Sequence, residues 1–268
     1  MNPLLKAIIR KERREFEELS SGRTIPGKAF DGVTEERNIP YIHDGDPAHR
    51  MDLYRPNTAR IPTPVIINIH GGGLIMGSKE FNRHFCLNLC KMGFLVFSVE
   101  YRLCPEVNVF QQLEDIYAAM NCIDSMIPRL RGEIGHCYMV GDSAGAMLGM
   151  YAAAIQRNPE LALAAGIRPC YLEIRSLGLI SGMFYTTRKD RIGMVMAKAF
   201  YGEQYQKHPF YPYMNPDHQA VAMSLPPCML RNYGRDPKLT HAFPVFDPQL
   251  PESWKVIEDI ASFFTDYE

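Results

Sequence analysis

The sequence lacks the features that mark several large protein classes. Its net charge is −1, so it has no basic excess of the kind that nucleic-acid-binding proteins carry. Its seven cysteines form no C-x-x-C pair, which argues against a zinc site. The phosphate-binding patterns G-x-x-x-x-G-K-[ST] and G-x-G-x-x-G are missing too. We therefore expect neither a metal ion, nor a cofactor, nor a nucleic-acid partner.

Long apolar runs are also missing. No stretch approaches the roughly 18 residues that a transmembrane helix needs, and the apolar start is too short for a secretory signal and is soon followed by charge. Residues 3–19 predict an amphipathic helix whose Glu residues offset its Lys and Arg. This pattern favours packing on the protein itself over membrane binding. Cysteines within apolar runs favour a reducing compartment, so we expect a cytoplasmic protein.

Apolar strands and helices alternate along the chain. β-branched runs predict strands buried on both faces of a parallel sheet. Such strands are predicted at 64–70, 93–99, 137–141 and 172–180, and helices at 79–92, 110–126 and 144–157. This order indicates an α/β fold, with a mostly parallel central sheet and helices on both faces. Ligands of such sheets bind at the carboxyl ends of the strands.

The segment Gly141-Asp142-Ser143-Ala144-Gly145 matches the pattern G-x-S-x-G, and it follows a predicted strand and opens a predicted helix. In this setting the pattern describes a nucleophile elbow, a tight strained turn that exposes a serine hydroxyl. Glycines on either side remove side chains that would collide with the strand and the helix. The alternative is a glycine-rich turn in which Ser143 only caps the helix.

Three consecutive glycines follow the strand predicted at 64–69, in the segment His70-Gly71-Gly72-Gly73. Free backbone N–H groups there suit the oxyanion that forms during acyl transfer, and one such donor is worth about 10²–10³ in rate. A phosphate-cradling loop or a plain turn are the alternatives. A nucleophile and an oxyanion hole at two strand ends together indicate a hydrolase site.

These motifs, taken in order, resemble the hormone-sensitive-lipase branch of the α/β hydrolases. The resemblance covers residues 51–264 and rests on His70-Gly71-Gly72-Gly73, Gly77-Ser78, Glu100-Tyr101-Arg102-Leu103-Cys104-Pro105-Glu106, Leu113-Glu114-Asp115, Gly141-Asp142-Ser143-Ala144-Gly145, Leu225-Pro226-Pro227 and His241-Ala242-Phe243. It implies a serine esterase with Ser143 as nucleophile. It also implies an oxyanion hole formed by the N–H groups of Gly72, Gly73 and Ala144. Structural roles are implied for His70, Tyr101, Arg102, Glu106 and Asp115.

The serine needs a base, and the base needs a carboxylate to orient it. His241 precedes Ala242-Phe243 as in the family, and it follows the chain order serine, acid, histidine. Asp236 follows the strand predicted at 228–233 and is the candidate acid, with Asp247 as the alternative. Only four residues separate Asp236 from His241, whereas the family has a helix and a strand there. An omitted segment, a deletion and a true loss are three explanations, and we favour an omission with a break near 237–238.

The resemblance also implies two regions. Residues 1–50 would contribute to a cap, and residues 51–268 would form the hydrolase domain, with a cap insertion at about 181–216. That insertion is rich in Phe, Tyr and Met, which suits an apolar acyl pocket. We expect a carboxylesterase for small-molecule esters with short to medium acyl groups, including acetyl. A non-catalytic receptor on this fold and an amidase are the alternatives, and the choice between monomer and homodimer stays open.

Overall fold

The computed structural model describes residues 3–21, 24–58, 60–232 and 239–266. Seven strands form one sheet in these residues: β1 (Val33–Pro40), β2 (Arg50–Pro56), β3 (Thr63–Ile69), β4 (Leu95–Val99), β5 (Gly132–Asp142), β6 (Ile174–Ile180) and β7 (Cys228–Arg231). Their spatial order is β1-β2-β4-β3-β5-β6-β7. Strand β2 pairs antiparallel with both β1 and β4, and the other neighbouring strands of the sheet pair parallel. The predicted α/β fold class is confirmed.

The helices follow the strands as the sequence predicts. They are α1 (Pro3–Ser21), α2 (Arg83–Lys91), α3 (Val109–Met126), α4 (Ala144–Arg157), α5 (Pro159–Ala165), α6 (Arg191–Tyr201), α7 (Gln219–Ala222), α8 (Phe243–Phe246) and α9 (Pro251–Thr265). Short 3-10 helices occupy Gly27–Phe30, Tyr205–Lys207 and Tyr211–Met214. None of the helices among the described residues is both long and apolar enough to cross a bilayer.

The core has two layers because alternate strand residues point to opposite faces of the sheet. Strand β3 is buried along its whole length. Its Val65, Ile67 and Ile69 join the cluster that packs against α3 and α4. Its Ile66 joins the second cluster, which packs against α2 and α9. Helices thus cover both faces, and the carboxyl ends of β3, β5 and β6 meet at one edge.

Candidate active site

Ser143 occupies a strained turn between β5 and α4. Its backbone has φ 51° and ψ −113°, and a positive φ is uncommon for a residue other than glycine. A Cβ on Gly141 would lie 2.6 Å from the carbonyl carbon of Gly145, and one on Gly145 would lie 2.5 Å from the carbonyl oxygen of His70. Glycine is therefore required at both positions, and the turn has the geometry that the sequence motif predicts.

Backbone hydrogen bonds fix this turn to the neighbouring strand. The N–H of Ser143 donates to the carbonyl of Ile180 at 2.8 Å, and the N–H of Met183 donates to the carbonyl of Ser143 at 3.0 Å. The serine side chain stays partly exposed at the edge of the sheet. Because α4 begins at the next residue, its N-terminus places positive dipole charge beside the hydroxyl.

The glycine loop is tied to the same turn through Asp142. The N–H of Gly71 donates to Oδ1 of Asp142 at 3.0 Å. Gly72 has φ 116° and Gly73 has φ 60°, conformations that glycine adopts readily. A Cβ on Gly73 would meet nothing within 4 Å, so this residue faces open space. The loop therefore lies directly against the residue that precedes Ser143, and it includes the predicted oxyanion donors Gly72 and Gly73.

His70 is buried and contacts the glycine loop. Its ring stacks on Tyr101 with centroids 4.2 Å apart. Nε2 lies 3.0 Å from Oε1 of Glu100, and Nδ1 lies 2.7 Å from the carbonyl oxygen of Gly71. Burial lowers the pKa of His70, but the charge and hydrogen bond of Glu100 outweigh it, so the pKa rises above 6.5. This ring is fully enclosed, in keeping with the structural role that the resemblance implies.

Asp142 is the buried carboxylate at the centre of the site. Besides Gly71 it accepts a hydrogen bond from Nδ2 of Asn82 at 2.8 Å. Burial raises its pKa, while the bond from Asn82 and the charges of His70 and His241 act in the opposite direction. His241 therefore lies within electrostatic range of the residue that adjoins Ser143.

His241 lies in the turn that precedes α8, and its side chain is exposed. The next N–H, that of Ala242, donates to Oγ of Ser181 at 3.2 Å. Ser181 directly follows Ile180, the residue whose carbonyl binds the N–H of Ser143. The turn that carries His241 is thereby attached to the same edge of the sheet as the serine.

Of the two candidate acids, the structure describes Asp247. Asp236 lies outside the described residues, as do 237 and 238, so the break that we expect there stays a prediction. Asp247 is exposed, and its Oδ2 lies 3.4 Å from Oγ1 of Thr240. In the described part of the chain the sheet ends at β7, without a further strand before His241.

Two residues that the sequence analysis missed help to build the site. Asn82 binds Asp142, 60 positions further along the chain, and nothing local in the sequence marks that pairing. Ser181 holds the turn with His241, and its place directly after β6 was the signal that could have found it. Arg102 and Asp115, for which the resemblance implies structural roles, bind each other: Nη2 of Arg102 donates to Oδ1 of Asp115 at 2.6 Å, and Asp115 is 1% exposed.

Helices α1 and α6 both contact the segment 104–106. Arg13 of α1 donates to the carbonyl of Cys104 at 2.5 Å and to Oε2 of Glu106 at 2.6 Å. From the other side, the thiol of Cys104 lies 3.7 Å from the carbonyl oxygen of Phe200 in α6. Arg13 also donates to the carbonyl of Ile75 at 2.5 Å, so α1 reaches the end of the glycine loop.

Metal ligands do not cluster here. Among the described residues, no group of three or more His, Cys, Asp or Glu side chains is placed to hold a metal ion. The chemistry that the arrangement offers is that of a serine hydroxyl, an imidazole and free backbone N–H groups. That combination is the one used in nucleophilic acyl transfer.

Comparisons with known proteins agree with this architecture. Non-reducing polyketide synthase Preu3 of Preussia isomera is 31% identical over 150 residues, which are 52% of this chain and 6% of that protein. Tuliposide A-converting enzyme 2, chloroplastic, of Tulipa gesneriana is 30% identical over 149 residues, 50% of this chain and 39% of that enzyme. The chain thus spans well under two thirds of the length of these relatives.

Solved structures share the fold along the whole chain. Esterase B from Lactobacillus rhamnosis, in a structure inhibited by a tributyrin phosphonate, has a TM-score of 0.85 at 21% identity and covers 100% of this chain and 96% of that one. The profile of the alpha/beta hydrolase fold matches residues 66–242, from the middle of β3 to the residue after His241. This chain therefore belongs to the α/β-hydrolase family, as its resemblance to the hormone-sensitive-lipase branch predicts.

Proposed function

We propose that this protein is a serine carboxylesterase with Ser143 as its nucleophile. The observation that carries the proposal is the strained backbone of Ser143 beside a glycine loop that Asp142 holds against it. A strained turn of this kind costs about 1–3 kcal/mol and persists where function requires it. The esterase names among the sequence relatives and structural neighbours support the same chemistry.

The proposed reaction has two acyl-transfer steps. His241 removes the proton from Oγ of Ser143 as that oxygen attacks the ester carbonyl. The N–H groups of Gly72, Gly73 and Ala144 bind the oxyanion. The imidazolium then gives its proton to the leaving alcohol. In the second step, water loses a proton to His241 and attacks the carbonyl of the acyl-enzyme. The bond between the acyl carbon and Oγ of Ser143 then breaks, and the imidazolium returns its proton to Oγ as the acid leaves.

The carboxylate that orients His241 is proposed to be Asp236, with Asp247 as the alternative. Asp236 follows β7 and keeps the chain order serine, acid, histidine. Asp247 caps the C-terminal end of α8, the short helix after His241, and its carboxylate accepts a hydrogen bond from Thr240. Comparing the loss in kcat of Asp236→Asn with that of Asp247→Asn separates them, because the true acid also fixes the imidazole tautomer.

The proposed substrates are esters of small molecules with short to medium acyl groups, including acetyl. Segments 1–50 and 181–216 are proposed to cap the domain 51–268, since α1 and α6 both contact the loop beside the glycine loop. An aromatic cap would exclude water and surround the acyl chain. Seven unpaired thiols support a reducing compartment, and we propose the cytoplasm.

Hydrolysis of p-nitrophenyl acetate tests the proposal. The wild-type chain should hydrolyse it, and Ser143→Ala should lose at least about 10⁴-fold in kcat. Exchange at Leu19, which is exposed on α1, provides a control variant, Leu19→Ala, that should keep full activity. Absence of turnover in the wild-type chain would favour a receptor on this fold, and faster turnover of a matched anilide would favour an amidase.

A further inference from the structure

A large cleft adjoins the site without including Ser143. Its volume is about 1040 Å³, at the upper end of the roughly 300–1,000 Å³ of small-molecule sites. Its lining comes from α1, from the start of α2, from Phe30 and from the segment after α8. The esterase mechanism above uses none of these side chains except Asp247, its alternative acid, so the cleft requires an explanation of its own.

One end of the cleft borders both the glycine loop and the short helix that follows His241. Gly77 and Ser78 belong to its lining, and a Cβ on Gly77 would lie 3.0 Å from Nδ1 of His70, against the glycine loop. Phe246 and Asp247, also in the lining, end the short helix that starts just after His241. The cleft therefore runs between the oxyanion loop and the turn that carries the base.

This position identifies the part of an ester that the cleft would receive. In ester cleavage the base must protonate the leaving alcohol oxygen, so the alcohol lies on the histidine side of the reacting carbon. The cleft borders the histidine turn through Phe246 and Asp247. The acyl group then lies on the opposite side of the reacting carbon, away from the histidine turn.

Three aromatic rings from distant parts of the chain form one continuous wall of the cleft. The centroids of Phe16 and Phe81 are 4.6 Å apart, and those of Phe81 and Phe246 are 4.7 Å apart. Phe30 adds a fourth ring, which is covered by the guanidinium of Arg83 at 4.9 Å. Rings at these spacings prefer a further ring in offset or edge contact. The wall suits an aromatic ligand.

Both arginines in the lining are paired with carboxylates. Arg37 pairs with Glu80, and Arg83 pairs with Glu35 with Nε 2.7 Å from Oε1. Glu17 and Asp247 also line the cleft and add negative charge, so the lining disfavours an anionic ligand.

We infer that the cleft between α1, α2 and the segment after α8 binds the aromatic alcohol portion of an ester. This inference deepens the proposed esterase function and rests on it for the placement of the alcohol. It predicts that esters of aromatic alcohols are preferred over esters of small aliphatic alcohols with the same acyl group.

The test compares 2-naphthyl acetate with ethyl acetate in four proteins: wild type, Phe16→Ala, Phe16→Tyr and Leu19→Ala. Phe16→Ala should lower kcat/KM for 2-naphthyl acetate by about tenfold, the largest effect expected for losing one aromatic contact, and that for ethyl acetate by about twofold or less. Phe16→Tyr keeps the ring and should retain the preference. Leu19, on the same helix but outside the cleft lining, should make no difference.

Two further measurements keep the inference separate from the esterase proposal. Methyl 2-naphthoate carries its ring on the acyl side. A larger loss of kcat/KM for this ester than for 2-naphthyl acetate in Phe16→Ala would overturn the placement of the alcohol.

Calorimetry of 2-naphthol with Ser143→Ala should show binding that the additional change Phe16→Ala removes. If no ester is cleaved but this binding is seen, the cleft stands and the esterase proposal fails. If 2-naphthol does not bind, the cleft inference is refuted.

Discussion

Replacing Gly145 by alanine should damage the turn around Ser143 more than the same replacement at Gly149, the other glycine of α4. The new Cβ would lie 2.5 Å from the carbonyl oxygen of His70 and 2.7 Å from the carbonyl carbon of Ile69. Both atoms belong to backbone at the end of the fully buried strand β3, so neither can turn aside. Overpacking of this kind costs about 1–3 kcal/mol, and we expect the upper part of that range.

Gly149→Ala is the matched control, one turn further along the same helix. Its Cβ would meet only the side chain of Met139, with Sδ at 3.2 Å. A methionine side chain adjusts readily, and alanine favours the helix over glycine by about 1 kcal/mol. This variant should therefore be about as stable as the wild type, or slightly more so.

Urea denaturation measures the difference directly. At equal slopes, the midpoint for Gly145→Ala should fall well below that for Gly149→Ala. Hydrolysis of p-nitrophenyl acetate should fall with it, because α4 has to move away from β3 and takes Ala144 with it. If both variants have the wild-type midpoint and activity, helix and strand do not approach as closely as the structure shows, and the elbow interpretation is refuted.

Three other changes have distinct expected results. Because the pKa of His70 is raised on folding, its contribution to the free energy of unfolding is complete below pH 6.5 and is lost as the pH rises through the folded pKa. In His70→Gln, the free energy of unfolding, measured by denaturation at several pH values, should therefore fall less towards alkaline pH than in the wild type. An unaltered pH dependence would contradict this. Asp142→Ala removes the oxygen that accepts the N–H of Gly71, and kcat/KM for p-nitrophenyl acetate should fall by about 10- to 100-fold because the oxyanion donors shift. Full activity in that variant would show that the bond does not position the loop. Arg13→Gln removes the bidentate bond to Glu106 and weakens the attachment of α1, so limited proteolysis should cut this helix faster than in the wild type, and an equal rate would argue against the anchor.

The central strands could be predicted from the sequence because they are buried on both faces. Strand β3 is an almost unbroken apolar run, and its prediction at 64–70 agrees with Thr63–Ile69. Strand β1, from Val33 to Pro40, lies at the edge of the sheet, and most of its side chains are exposed. An edge strand carries little apolar signal, so its start is hard to place from the sequence.

The turn around Ser143 and the glycine loop were predictable because their motifs are local. Gly141, Ser143 and Gly145 lie within five residues, and the structure gives them the expected turn. Asn82 was not predictable, because its role depends on a hydrogen bond to Asp142 across the sheet. The aromatic cleft was missed for the same reason, since its rings come from widely separated parts of the chain.

The most direct test of the central claim is covalent labelling by a fluorophosphonate, followed by mass spectrometry of the digested chain. The serine of a working elbow reacts with such a probe because its base activates it. We predict one phosphonyl adduct on the peptide that contains Ser143, slower labelling in His241→Gln and none in Ser143→Ala. An unlabelled wild-type chain, or an adduct that persists in Ser143→Ala, would contradict the account.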